Sequence, residues 1–243
     1  MRETAQVAGG ADDDLIGAIR AGLAAAGDPE RAAGQQRYMK STMPFHGVRM
    51  GQVRRIVRAA VARHPLENGT QWEATIRELW DDAARREERY AATALARHPS
   101  ARAYRTPEVL DLYRHLVTGA WWDHVDEIAA HLVGEVLRFE PDAVEPVLRG
   151  WAEGEDMWLR RTAILAQLRS KDGTDTALLA HCLSTNLEGS RFGSEFFIRK
   201  AVGWALREYA KTDPDWVRRF VAEHCERLSG LSVREASKHL PLS

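Results

Sequence analysis

Apolar residues return every three to four positions along nearly the whole chain, and this periodicity restricts the fold more than any other feature. Leu15, Ile16, Ile19 and Leu23 form one such stripe, and Ile128, Leu132, Val136 and Leu137 form another. The strict alternation that builds strands is almost missing. The spacing therefore predicts an all-α protein. Helix punctuation agrees: Thr70 to Glu73 and Ser232 to Glu235 match capping boxes, while Thr106-Pro107 and Asp213-Pro214 put proline in first helical turns. Helical signals run from Asp12 to Leu240 without a Ser/Gly-rich break, so residues 11–243 are expected to form a single domain after a flexible tail at 1–10.

A chain of 243 residues, 44% hydrophobic and 28% charged, can build a core without disulfides or a structural metal. No apolar run reaches the roughly 18 residues that span a bilayer, and the opening residues lack the apolar centre of a secretion signal, so a cytoplasmic protein is expected. Cys182 and Cys225 show no C-x-x-C spacing and are expected to be small core residues. His46, His124, His181 and His224 stand singly, and H-E-x-x-H, G-x-S-x-G, G-x-x-x-x-G-K and G-x-G-x-x-G are all missing. Neither a metal site nor a cofactor is expected.

The net charge of −1 would argue against a polyanionic partner if charge were spread evenly. It is not. Between Arg37 and Arg63 lie Arg37, Lys40, Arg49, Arg54, Arg55, Arg58 and Arg63 with no Asp or Glu among them, a local charge of about +7. Such a run is either a solvated helix face or a surface for phosphates.

A weak repeat runs through the second half. Aligning WDHVDEIAAHLVG from Trp122, RTAILAQLRS from Arg161 and KAVGWALREYA from Lys200 gives offsets of 39 and 39, and REASKHL follows from Arg234 after another 34. Spacing of this kind matches paired-helix repeats of the HEAT type, which stack into curved solenoids and bind partners in the concave groove. Trp122, Arg161, Lys200 and Arg234 then share one register position; Asp126, Leu165, Trp204 and Lys238 share the position one helical turn later. Trp122, Asp126, Arg161, Lys200 and Trp204 would face a common surface. The plainer alternative is a bundle with scattered core tryptophans.

A carboxylate between indole rings in a positive groove suits a cation held against a polyanion, because aromatic faces and carboxylates both attract positive charge. An N3- or N7-alkylated purine in DNA supplies such a cation, and its glycosidic bond breaks with positive charge building on the sugar.

The segments YMKSTMPFHGV (from Tyr38), WWDHVDEIA (from Trp121), MWLRRTAILAQL (from Met157) and EFFIRKAVGWALREYAK (from Glu195) resemble the AlkD-type DNA alkylation repair proteins, over nearly the whole chain. Those are HEAT-like helical DNA glycosylases that excise N3- and N7-alkylpurines. The resemblance implies that Asp126 is the catalytic carboxylate, that Trp122 and Trp204 are aromatic walls, and that Arg161 supports catalysis and contacts the DNA backbone. It places Tyr38 and Lys40 in the amino-terminal motif; with Arg161 and Lys200 they make up the expected DNA contacts. The partner implied is double-stranded DNA carrying alkylated purines, met on the bacterial nucleoid by a monomer with no membrane or metal requirement. Trp121 and Trp158 are expected in the core, and residues 183–195 look longer than usual.

Because alkylation already charges the purine, it can leave as a neutral base without a general acid. Asp126 would stabilise the oxocarbenium-like sugar and orient or deprotonate the attacking water. A scaffold that binds damaged DNA or protein without chemistry is the competing expectation, separable by assaying release of free methylpurine. A further one keeps the enzyme but narrows it to self-protection beside a DNA-alkylating natural product.

Overall fold

A computed structural model of the chain describes residues 10–240. The expected tail at 1–10 lies outside the described residues, save for Gly10. Every described element is helical, as the periodicity requires, and no strand occurs among the described residues. The chain divides into two compact units, the first ending at Arg105 and the second beginning at Thr106.

The first unit holds α1 (Asp13–Ala25), α2 (Pro29–Met39), α3 (Met50–Arg63), α4 (Gly69–Asp81) and α5 (Arg86–Ala96), then a 3-10 turn at Pro99–Tyr104. α1, with Leu15, Ile16, Ile19 and Leu23 buried, packs on α3, with Val53, Val57 and Val61 buried, and α5, whose Ala91, Ala92 and Ala96 are small and buried, packs against α3 and α4. Glu87, wholly buried in the first turn of α5, accepts the backbone N–H groups of His46 (2.8 Å), Gly47 (2.8 Å) and Val48 (2.9 Å). Those three bonds fasten the loop that follows α2. Gly47 is obligatory there: its φ is +86°, and an added Cβ would lie 2.0 Å from the carbonyl oxygen of Asp28. All seven cations of the run from Arg37 to Arg63 are exposed.

The second unit contains α6 (Leu110–Val117), α7 (Trp122–Ile128), α8 (Gly134–Phe139), α9 (Pro141–Glu153), α10 (Met157–Leu165), α11 (Thr176–Ser184), α12 (Phe196–Tyr209), α13 (Pro214–Glu223) and α14 (Gly230–Ala236). A π-turn at Ala129–Val133 joins α7 to α8 in one helical rod. α10 packs between α7 and α12, and α12 packs against α14. Every residue from Leu159 to Leu165 is buried, so α10 has no solvent face over that stretch. The loop at 185–195 is locked: Asn186 donates to the carbonyls of Ala152 (3.0 Å) and Cys182 (2.9 Å) and accepts from Arg160 (3.2 Å).

Some punctuation shifts. Asp213 caps α13 as expected, accepting from Trp216 N–H at 2.8 Å, and Pro107 opens the 3-10 turn that leads into α6. The box expected at Thr70 is displaced, because Asn68 caps α4 through Gln71 N–H at 2.9 Å. The one at Ser232 is displaced too: α14 starts at Gly230 with Ser229 as its cap. Cys182 is in the core, where burial pushes its thiol up to about 12. Cys225, expected there as well, is exposed, because α13 and its apolar face end before it.

Candidate active site

Asp126 and Trp122 are one turn apart on α7, hence on one face of that helix. Asp126 receives a fork from α10: Arg161 Nε donates to Oδ1 at 2.7 Å and Nη2 to Oδ2 at 2.9 Å. Arg161 Nη1 donates to the carbonyl oxygen of Phe197 at the start of α12. One guanidinium thus ties three helices, α7, α10 and α12, at a single point.

Exposure decides what each partner can do. The Arg161 side chain is 4% exposed and the Asp126 side chain 15%, so the aspartate keeps some contact with solvent while the cation behind it is almost wholly covered. Burial raises the Asp126 carboxyl above the usual aspartate value; Arg161 pulls it down by hydrogen bonding and charge, and Asp123 adds a smaller upward push. The carboxylate is neither sealed in a dry interior nor fully solvated.

Beside the pair sits an aromatic cluster. Phe197 lies 5.0 Å from Trp158 and 5.1 Å from Trp121, ring centre to ring centre, and Trp121 and Trp158 are 5.7 Å apart. The Arg161 guanidinium is 5.9 Å from the centre of the Phe197 ring. Trp121 and Trp158, expected in the core, are half-buried, because the cluster gathers at the ends of three helices and not along one apolar stripe. Phe196, next to it in α12, is exposed.

The remaining expected site residues fall in different places. Trp122 and Trp204 are both half-buried, Trp204 being one turn beyond Lys200 on α12. Lys200 is drawn to Glu235 of α14 at 2.6 Å, and the same carboxylate takes Arg207 at 2.5 Å and Lys238 at 2.8 Å. These hydrogen bonds, led by that of Lys200, hold Glu235 down at about 2, so three cations surround one anion that stays charged. Tyr38 and Lys40 belong to the first unit, both exposed at the end of α2, with Lys40 as its left-handed cap at φ 49°.

Phe197 and Glu235 escape a reading by motif. One signal was available for Glu235: it lies 35 residues after Lys200, as Arg161 lies 35 after Asp126, so an acid and a base recur at one spacing. Phe197 acts through its carbonyl, which residue type does not announce. Among the described residues no group of three or more metal-ligating side chains occurs, and no helix is long and apolar enough to cross a membrane.

No curated protein matches the sequence. A solved structure titled as a predicted DNA alkylation repair enzyme from Enterococcus faecalis is similar, with 29% identity and a TM-score of 0.77, covering 89% of this chain and 98% of that one. The model of the DNA alkylation repair enzyme family matches residues 19–240. With the match spanning the carboxylate, its arginine and both units, the chain belongs to the DNA alkylation repair enzyme family.

Proposed function

We propose that this protein is a monofunctional DNA glycosylase that hydrolyses the N-glycosidic bond of cationic N3- and N7-alkylated purines in double-stranded DNA. Residues 11–243 would act together as one HEAT-like domain, a monomer with a concave DNA-binding groove and no cofactor. The observation that carries the proposal is the Asp126 carboxylate, gripped at both oxygens by Arg161 yet open to solvent over 15% of its side chain.

In the proposed reaction the C1′–N bond breaks and its electron pair stays with the purine, which departs neutral. Water adds to C1′ and gives up a proton to Asp126 or to solvent. Asp126 faces the positive charge that gathers on the sugar, while Trp122 and Trp204 contact the deoxyribose and sustain that charge. A unit charge about 4 Å away at an effective dielectric of about 20 is worth roughly 4 kcal/mol, about a thousandfold in rate. That suffices for a labile cationic nucleoside and is far too little for undamaged purines. Arg161 holds Asp126 in place and in its charged form against burial. Its own positive charge weakens the field at the sugar, which further restricts the site to substrates already prone to cleave. We assign Arg161 as a positioning residue, since contact with a phosphate would require its pair with Asp126 to open.

The test is Asp126→Asn, which keeps shape and removes charge. Single-turnover release of 7-methylguanine from methylated duplex is expected to fall by about a hundredfold or more, with DNA affinity little changed. Unaltered release removes Asp126 from the mechanism.

A further inference from the structure

A cavity of about 160 Å³ opens in the first unit where α3 meets the end of α5. Its walls are Arg54, Arg58, Arg97 and His98, and its apolar lining includes Val57 and Ala94. Arg54 and Arg58 stand one turn apart on α3 and so share a face, while Arg97 is the C-cap of α5. No lining residue is acidic. A space of that size admits a phosphate group.

The histidine reports the local field. Nδ1 of His98 accepts the N–H of Ser100 at 3.3 Å and lies 2.7 Å from its hydroxyl, which leaves the proton of the neutral ring on Nε2 as a donor. Burial, then Arg58 and Arg105, hold the ring below the usual histidine value, as expected beside concentrated positive charge. Guanidinium forks recognise the oxygens of phosphate in pairs, and a neutral imidazole donor adds a further hydrogen bond without adding repulsion. Arg49, Arg55 and Arg63 extend the positive surface along the same helix and its cap, which suits a polyanion more than an isolated acid.

We propose that this cavity is a phosphate-binding pocket that holds one backbone phosphodiester of duplex DNA. It rests on the proposed function for the identity of the polyanion, and on the geometry of the cavity for the phosphate. Arg58 and Arg97 grip the same phosphate, so their contributions are not independent.

The experiment measures binding of the full chain to a labelled, undamaged duplex across a salt series, for the wild type, Arg58→Gln, Arg97→Gln and the double variant. Each single substitution is expected to flatten the log–log slope by about 0.9, and the double by no more than either single one. Unchanged slopes without saturable phosphate binding overturn the pocket, and so does a double loss of about 1.8, which marks two separate surface contacts. Inorganic phosphate, titrated against chloride at equal ionic strength while the His98 ring is followed by NMR, separates the sources. Saturable binding of phosphate with unaltered duplex slopes overturns the assignment to DNA in favour of a free phosphate site. Release of 7-methylguanine is scored apart. Flattened slopes in a protein that frees no methylpurine keep the pocket and remove the glycosylase, whereas methylpurine release with unaltered slopes does the reverse.

Discussion

Arg160 and Arg161 are neighbours in sequence and both buried, but different groups meet each guanidinium. Arg160 donates to the carbonyls of Glu153 and Gly154 at 2.6 Å each and to Asn186, all neutral acceptors that pin a loop. Arg161 meets a carboxylate. That difference sets a pH prediction. Because burial raises the Asp126 carboxyl, excision should decline as pH falls through a value above the ordinary aspartate range. Arg161 works against that rise, so in Arg161→Met the acid limb of the single-turnover pH–rate profile moves to still higher pH, and the rate at neutral pH drops about tenfold or more. Arg161→Lys, which keeps charge and loses the fork, should return part of the shift. A profile lowered uniformly, with its limb unmoved, would show that Arg161 only shapes the backbone. Linkage has the matching sign: a carboxyl raised in the folded state favours folding at low pH, and that contribution is lost as pH rises through the raised value. Asp126 thus works against stability at neutral pH, as expected of a functional charge.

At the scale of the element, the π-turn and one glycine set where Asp126 lies against α10. The extra residue of a π-turn widens the rod just beyond Asp126, and Gly134 follows it directly. A Cβ on Gly134 would sit 2.2 Å from the carbonyl oxygen of Ala166, immediately after α10. Only a glycine lets the two backbones come so close. Gly134→Ala should therefore cost about 1 to 3 kcal/mol, read by chemical denaturation, and slow excision under conditions where the variant is fully folded. Gly150 in α9 is the comparison. A Cβ there meets nothing within 4 Å, so Gly150→Ala should be neutral or add up to about 1 kcal/mol. Equal losses at both positions would mean that glycine content alone matters. Neither feature is legible in sequence. Apolar periodicity announces the helices because it reflects burial, and a proline after Asp or Thr announces a start because it acts within one turn. A π-turn is instead decided by how a rod fits its neighbour. The pattern at Ser232 to Glu235 misleads for a related reason, since Ser229 takes the cap and three cations claim Glu235.

Across the whole molecule, positive charge is carried mainly by arginine: of 34 cationic side chains five are lysines, Lys40, Lys171, Lys200, Lys211 and Lys238. That bias was plain in the sequence, but where each lysine is committed was not, since ion pairs form across distant segments. Lys200 and Lys238 are bound to Glu235, and Lys211 to Glu208 at 2.7 Å. Lys40 caps α2 in the first unit, and Lys171 opens a 3-10 turn at φ 51°. The cation against Asp126 is an arginine, whose guanidinium does not shed its proton and cannot attack C1′. A glycosylase that also cuts the strand needs an amine to displace the base and form a Schiff base with the opened sugar. Under the proposed function water would be the nucleophile at Asp126, and the product would be an abasic site in an intact strand. Methylated duplex treated with the protein should therefore run at full length on a denaturing gel until it is heated with alkali, and should then break at the alkylated purines. Borohydride added during the reaction should capture no protein on DNA. A covalent adduct, or breaks that precede alkali, would transfer the attack from water to an amine and take the role of base from Asp126.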